Sequence, residues 1–223
     1  MAVRYMASYK SKYMKKIIVI QHPQSKQHVN RMIGSWYDWD LTELGIKQAH
    51  NIVKKLSTEI TGDDYTIYSS DLLRTKHTAD IISSYLHTTP IFDERIREFN
   101  LGEAIGKSKD WAKKNLCCPV WEGTIDWACT ADGQVFRNAE TRRDVWNRVI
   151  QFYNDVIVPS EKNLIIVSHS GTLSILLAIW LGMDIHSLDQ TAIWGKAGGV
   201  SILLDDGEHR MISKISDMSY IID

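Results

Sequence analysis

Cysteine, net charge and long apolar runs are the three things this chain has little of. Three cysteines in 223 residues are too few for a disulfide framework. Cys117 and Cys118 are adjacent, and neither they nor Cys129 form a C-x-x-C pair with a histidine partner at zinc spacing. The expectation is free thiols in a reducing cytosol and no metal site. Lys and Arg number 26 against 27 Asp and Glu, a net charge of −1. No global field therefore draws the chain to nucleic acid or to a membrane surface, and any anion site must be local. No apolar run approaches the roughly 20 residues that a membrane-spanning helix needs. The start, Met1 to Lys16, carries Arg4, Lys10, Lys12, Lys15 and Lys16. Only Ile17 to Ile20 follow as an apolar stretch, too short for the h-region of a secretory signal. These absences point to the cytoplasm, with residues 1–13 as a flexible extension ahead of Met14. Internal repeats and low-complexity linkers are missing as well.

What is present suits one α/β domain over residues 14–223, with 44% apolar and 24% charged residues. Ile17–Ile20 is a β-branched run of the kind buried on both faces of a parallel sheet. Residues 21–40 are polar and without period, a functional loop. Thr42 then caps a helix with apolar residues at Leu44, Ala49, Ile52, Val53 and Leu56. Tyr65–Tyr68 is a second strand, Asp71 opens a helix through Tyr85 with Leu72, Ala79, Ile82 and Tyr85 inward, and Pro90–Phe92 is a third strand. Residues 103–139 break the rhythm. They hold Trp111, Trp121 and Trp127 and all three cysteines, and read as a lid-like insertion or a small satellite core. A helix from Thr141 to Ile157, a strand Leu164–Val167, a helix Gly171–Leu181 and a strand pair Val200–Leu204 and Met211–Ile215 complete the pattern. Strands alternating with helices give a three-layer α/β/α sandwich with a mostly parallel central sheet.

The strand Ile17–Ile20 runs straight into Gln21-His22-Pro23-Gln24-Ser25, and Leu164–Val167 runs into Ser168-His169-Ser170-Gly171. Reactive groups in such sheets gather at the carboxyl ends of strands. One strand-end histidine has an ordinary structural explanation; two suggest a paired-imidazole site. Ser69-Ser70-Asp71-Leu72-Leu73-Arg74 places a cation at the start of a helix, where backbone amides and a guanidinium together favour an anion. Arg97-Glu98 follows the third strand, so Glu98 reaches the same edge as a proton donor.

Together these segments resemble the histidine phosphatase superfamily, with its phosphoglycerate-mutase-like fold. Gln21 to Ser25 matches R-H-G-x-[ST], with Asn30 in the place of the downstream asparagine. Leu41 to Ala49 fits L-T-x-x-G-x-x-Q-A, Ser69 to Ala79 fits S-S-D-L-x-R-x-x-x-T-A, Ile96-Arg97-Glu98 with Gly102 fits the acid-bearing segment, and Val167 to Gly171 fits V-S-H-G-G. The resemblance implies a metal-independent phosphomonoesterase without cofactor, acting on a small phosphorylated metabolite. In it His22 is the nucleophile that becomes a phosphohistidine, Arg74 and His169 neutralise phosphoryl oxygens, and Glu98 is the acid. Gln21, Ser25, Asn30 and Ser170 hold the substrate. A homo-oligomer is compatible with the sequence but not specified by it.

The departures are Gln21 for arginine, Pro23 for glycine, Ile105 for a glutamate and Tyr220 for a closing histidine. Lys26, His28 and Arg31 are the nearby groups that would replace the missing charge. Gln21 keeps a donor but loses a charge, and Pro23 loses a backbone N–H. Two other readings follow. One is phosphoglycerate-mutase-type transfer, for which Lys107, Lys109, Lys113, Lys114 and Arg137 offer charge for a second anionic group. The other is a phospholigand-binding regulatory protein that has lost turnover.

Overall fold

The computed structural model describes residues 14–60, 65–118 and 131–222. Residues 1–13, Trp121, Trp127 and Cys129 lie outside the described residues. Six strands form one sheet: β1 (Lys15–Gln21), β2 (Tyr65–Ser69), β3 (Ile91–Phe92), β4 (Asn163–Ser168), β5 (Val200–Asp205) and β6 (Arg210–Asp217). Their spatial order is β3-β2-β4-β1-β5-β6. β1, β2, β3 and β4 are mutually parallel where they pair, while β5 runs antiparallel to both β1 and β6.

The two-residue alternation of a strand explains the layers. Ile17 and Val19 of β1, with Leu164 and Ile166 of β4, face a core shared with α5 (Arg142–Phe152) and α6 (Ser170–Trp180). Ile18, Ile20, Ile165 and Val167 face the other side, against α2 (Glu43–Glu59) and α3 (Leu73–Leu86). The two helix layers thus cover a central sheet whose middle strands are apolar throughout, the reason β1 and β4 read as continuous runs.

Local signals mostly act as the sequence implies. Thr42 Oγ1 accepts from Gly45 N at 3.0 Å and starts α2. Thr141 and Asp144 close a reciprocal capping box on α5, whose last turn widens into a π-helical turn at Tyr153–Ile157. Ser108 caps the short α4 (Lys109–Lys114).

Four expectations need correction. The loop at 21–40 contains a short helix, α1 (Lys26–Asn30). Leu44 and Tyr85 are 50% and 48% exposed: Leu44 lies off the stripe Gly45, Ala49, Ile52, Val53 and Leu56 that α2 buries, and the Tyr85 ring rests on His50 of α2 at 5.9 Å. Asp71 does not cap α3; its carboxylate instead pairs with Arg97 at 2.6 and 2.5 Å. Cys118 is disulfide-bonded, so only Cys117 among the described cysteines is a free thiol. Trp111 packs on the α5–α6 side of the core, 6.3 Å from the Phe136 ring.

Candidate active site

Parallel pairing of β1 with β4 sets Gln21 opposite Ser168, which brings the next residues, His22 and His169, side by side. Their rings lie edge to face at 5.3 Å. His22 N donates to Ser168 O at 3.0 Å and locks the register at the strand ends. Both imidazoles are almost wholly buried, at 3% and 0% exposure.

The tautomer of His22 follows from its neighbours. Nδ1 lies 2.8 Å from the carbonyl of Pro23, which can only accept, so Nδ1 carries the proton. Nε2 then accepts from Nε of Arg74 at 3.2 Å. Pro23 therefore supplies the carbonyl that orients the ring, whatever its missing N–H costs. Burial, then the positive charge of Arg74 and then His28, hold the His22 imidazole well below its ordinary pKa, so it is neutral. Burial, then Arg74, His22 and Arg148, do the same to His169. His169 Nε2 meets Ser70 Oγ at 2.9 Å, and its Nδ1 is buried without a protein partner.

Arg74 is buried under the loop that follows α1. Its two terminal nitrogens donate to the carbonyls of Tyr37 at 3.1 Å and Ser35 at 2.8 Å. The first amide of α3, that of Leu73, is already taken by the Asp38 carboxylate at 2.7 Å. The guanidinium, rather than the helix N-terminus, is thus what α3 offers an anion.

Glu98 reaches the site from the loop after the 3₁₀ turn Glu94–Ile96. Its Oε1 accepts from Phe99 N at 3.0 Å and Thr172 N at 3.3 Å, and its Oε2 from Gly171 N at 3.3 Å. The carboxylate so occupies the amides at the start of α6, where negative charge is favoured. Gly171 makes this approach feasible: a Cβ there would lie 2.7 Å from Glu98 Oε1 and 2.8 Å from the Phe99 ring.

These groups open into a cleft of about 520 Å³, lined by Gln21, His22, His28, Ser35, Arg74, Glu98, Lys109 and Ser170 among others. Among the described residues no cluster of three His, Cys, Asp or Glu is placed to hold a metal. Of the eight sequence candidates, six line the cleft or, like His169, lie against His22. Ser25 and Asn30 do not. Ser25 is a buried N-cap whose backbone N–H and Oγ approach His28 Nδ1 at 3.0 and 3.2 Å. Asn30 is exposed and accepts from Met32 N at 2.9 Å. The five-residue α1 turns position 30 outward and position 28 back over the site.

His28 is the group that sequence reasoning underrated. Its ring stacks on His22 at 5.5 Å and 15°. Because Nδ1 accepts from Ser25 N–H, Nε2 is the protonated nitrogen. Partial desolvation at the cleft mouth, then Arg74 and Lys109, lowers its pKa to about 4, so His28 does not restore the charge that Gln21 lacks. Lys26 and Arg31 do not either: both are exposed, and Arg31 faces Asp110 at 3.8 Å. Lys109 at the cleft is the cation that remains. Gln21 itself is buried, and its Oε1 has no hydrogen-bond partner, lying beside Gly195. Tyr220 is far from the cleft, buried on the α2–α3 side, where its hydroxyl donates to Glu59 at 2.5 Å and accepts from Lys214 at 2.9 Å.

Over 175 residues the chain is 29% identical to "Putative phosphoserine phosphatase 2" of Hydrogenobacter thermophilus, covering 78% of this chain and 83% of that protein. It is 29% identical over 177 residues to "Probable phosphoglycerate mutase GpmB" of Proteus mirabilis, covering 78% of each. Its fold is similar to that of YhfR of Bacillus stearothermophilus, with a TM-score of 0.77 at 24% identity over 93% of this chain and all of the other. The family model for branch 1 of the histidine phosphatases matches residues 17–217, a span from the first strand to the last. The chain belongs to the histidine phosphatase superfamily.

Proposed function

We propose that this chain is a phosphomonoesterase for a small phosphorylated metabolite, working through a phosphohistidine on His22. One observation carries the reading. A neutral, buried imidazole with its Nδ1 proton tied to Pro23 O presents the Nε2 lone pair to a guanidinium in a cleft that also holds Glu98. That is a nucleophile, an anion holder and a proton carrier in one place.

In this mechanism the phosphoryl oxygens take the Nε proton of Arg74 as hydrogen-bond partners, which frees Nε2. Arg74, His169 and the Nε2–H of His28 bear the equatorial oxygens, with the Ser170 amide and Gln21 at the rim. The ester enters as its monoanion and passes its proton to Glu98, since phosphate monoesters lose their second proton near pH 6. Nε2 attacks phosphorus as the P–O bond to the alcohol breaks. The bonding pair leaves with oxygen, which takes the proton from Glu98. Water then attacks the phosphohistidine, its proton going to Glu98 and the P–N pair returning to Nε2. Charge on the transferring group is met by Arg74, so the scheme requires no metal and no cofactor. Residues 14–223 act in this reading as one cytoplasmic domain, with Lys109 of the 103–139 insertion at the cleft.

Lys109 favours a second reading, mutase-type transfer, because it offers a cation for a further anionic group on the ligand. The test is turnover of p-nitrophenyl phosphate by wild type and His22→Ala, with enzyme labelled from a radiophosphate ester, quenched in alkaline detergent and only then exposed to acid. The expected result is loss of rate by a factor on the order of 10³ or more, and of the acid-labile label. Phosphate bound by both proteins with turnover by neither would instead establish the regulatory reading. Transfer between hydroxyls of a phosphorylated hydroxy acid without release of phosphate would establish the mutase.

A further inference from the structure

We infer that Arg148 is a positioning residue for Glu98, acting with Glu140 to aim the proton donor at the leaving oxygen. The inference rests on the proposed role of Glu98. The segment from Arg95 to Leu101 belongs to no strand or α-helix, so no ladder fixes the height of the Glu98 side chain above the cleft. One guanidinium does so instead. Nη1 of Arg148 donates to the carbonyls of Arg95 at 2.7 Å and Arg97 at 2.8 Å, and Nη2 donates to the carbonyl of Glu98 at 2.9 Å.

The other side of the guanidinium is held by Glu140, from Nε to Oε1 at 2.9 Å and from Nη2 to Oε2 at 3.0 Å. Glu140 also receives the amide of Asn100 at 2.8 Å, and its own amide donates to the Asn100 carbonyl at 2.8 Å. The pair therefore grips the segment on both sides of Glu98. Trp36 Nε1 adds a 2.7 Å bond to the Glu98 carbonyl, and Thr172 Oγ1 a 2.6 Å bond to that of Arg97.

Arg148 does not line the cleft, and its Nε, Nη1 and Nη2 already donate to three carbonyls and to Glu140, which leaves it no phosphoryl-binding role. Its planar fork, which lysine cannot reproduce, meets three carbonyls and one carboxylate at once. Loosening it leaves His22, Arg74 and His28 on their own elements and acts first on the acid. The loss should fall on substrates whose leaving group needs a proton.

The experiment measures kcat/KM for wild type, Arg148→Lys and Glu140→Gln on a series from dinitrophenyl phosphate, through phenyl phosphate, to an alkyl phosphate. Both variants are expected to lose about 100-fold on the alkyl ester and about threefold or less on the dinitrophenyl ester, since general acid catalysis contributes about 10²–10⁴. A uniform loss across the series in an active, folded variant overturns the positioning role and leaves the phosphatase reading intact. Wild type inactive on every ester overturns the phosphatase reading, and this inference falls with it. Glu140→Gln keeps the size but puts a donor where one carboxylate oxygen accepts, so it carries the test if Arg148→Lys does not fold, with circular dichroism melting as the check.

Discussion

Two neutral imidazoles buried side by side make folding sensitive to pH in a window where carboxylates are silent. His22 and His169 are held well below the usual imidazole pKa, first by burial and then by nearby positive charge. In the unfolded chain each titrates near the ordinary value of about 6.5. Below that value the unfolded state takes up protons that the folded state refuses. Stability is therefore full above about pH 6.5 and falls as pH drops toward the folded-state pKa values. Between pH 7.5 and 5.5 each such histidine removes about 1.4 kcal/mol, and the pair about 3 kcal/mol. Carboxylates such as Asp217, pushed down to about 2 chiefly by hydrogen bonds from Ser219, act only below about pH 4. The assay is urea unfolding at pH 7.5, 6.5 and 5.5, without phosphate, because an anion bound to the native state would add its own stabilisation. His169→Asn is expected to halve the fall that the pair causes, to about 1.4 kcal/mol. His28, open at the cleft mouth, contributes alike to both proteins. An unchanged slope in the variant would show that His169 is not held neutral, and the argument from burial would fail.

Two further outcomes follow from the site. Gln21→Arg should raise kcat/KM on aryl phosphates about tenfold, since a charge-assisted hydrogen bond exceeds a neutral one by about 1–2 kcal/mol; no gain would mean that the missing charge does not limit the rate. Gly171→Ala should cost about 1–3 kcal/mol in urea unfolding and depress turnover of alkyl phosphates, because the new methyl would lie 2.7 Å from Glu98 Oε1. An alanine variant with unaltered stability and rate would show that Glu98 has another resting place.

How far the sequence discloses the site depends on how local each cause is. His22 and His169 were legible because a strand end fixes where its next side chain emerges. Arg74 and Glu98 were legible through their neighbours in the motifs. Asn30 was misplaced because α1 has only five residues, so no periodicity announces which side of it faces inward. The spacing Ser25-x-x-His28 was the available sign, being that of a reciprocal cap. Leu44 is apolar but stands off the stripe that Ala49, Ile52, Val53 and Leu56 make on α2, so apolarity alone misplaces it. Arg148, between Val145 and Val149 on a helix, reads as a solvated charge. Only the tertiary path of residues 95–100 brings three carbonyls to it.

The position of β1 in the sheet has a consequence for the birth of the protein on the ribosome. Both neighbours of this first strand, β4 and β5, come from the last third of the chain. Lys16 meets its hydrogen-bond partner Asn163 only across 147 residues. At about 5–20 residues per second, synthesis leaves Ile17–Ile20 without a strand partner for about 7–30 s. For that interval four consecutive β-branched residues stand exposed in a nascent chain, the kind of segment that other chains capture. The strand that leads into His22 is thus made before its partners and seated among the last, and a holding chaperone would find its natural target there.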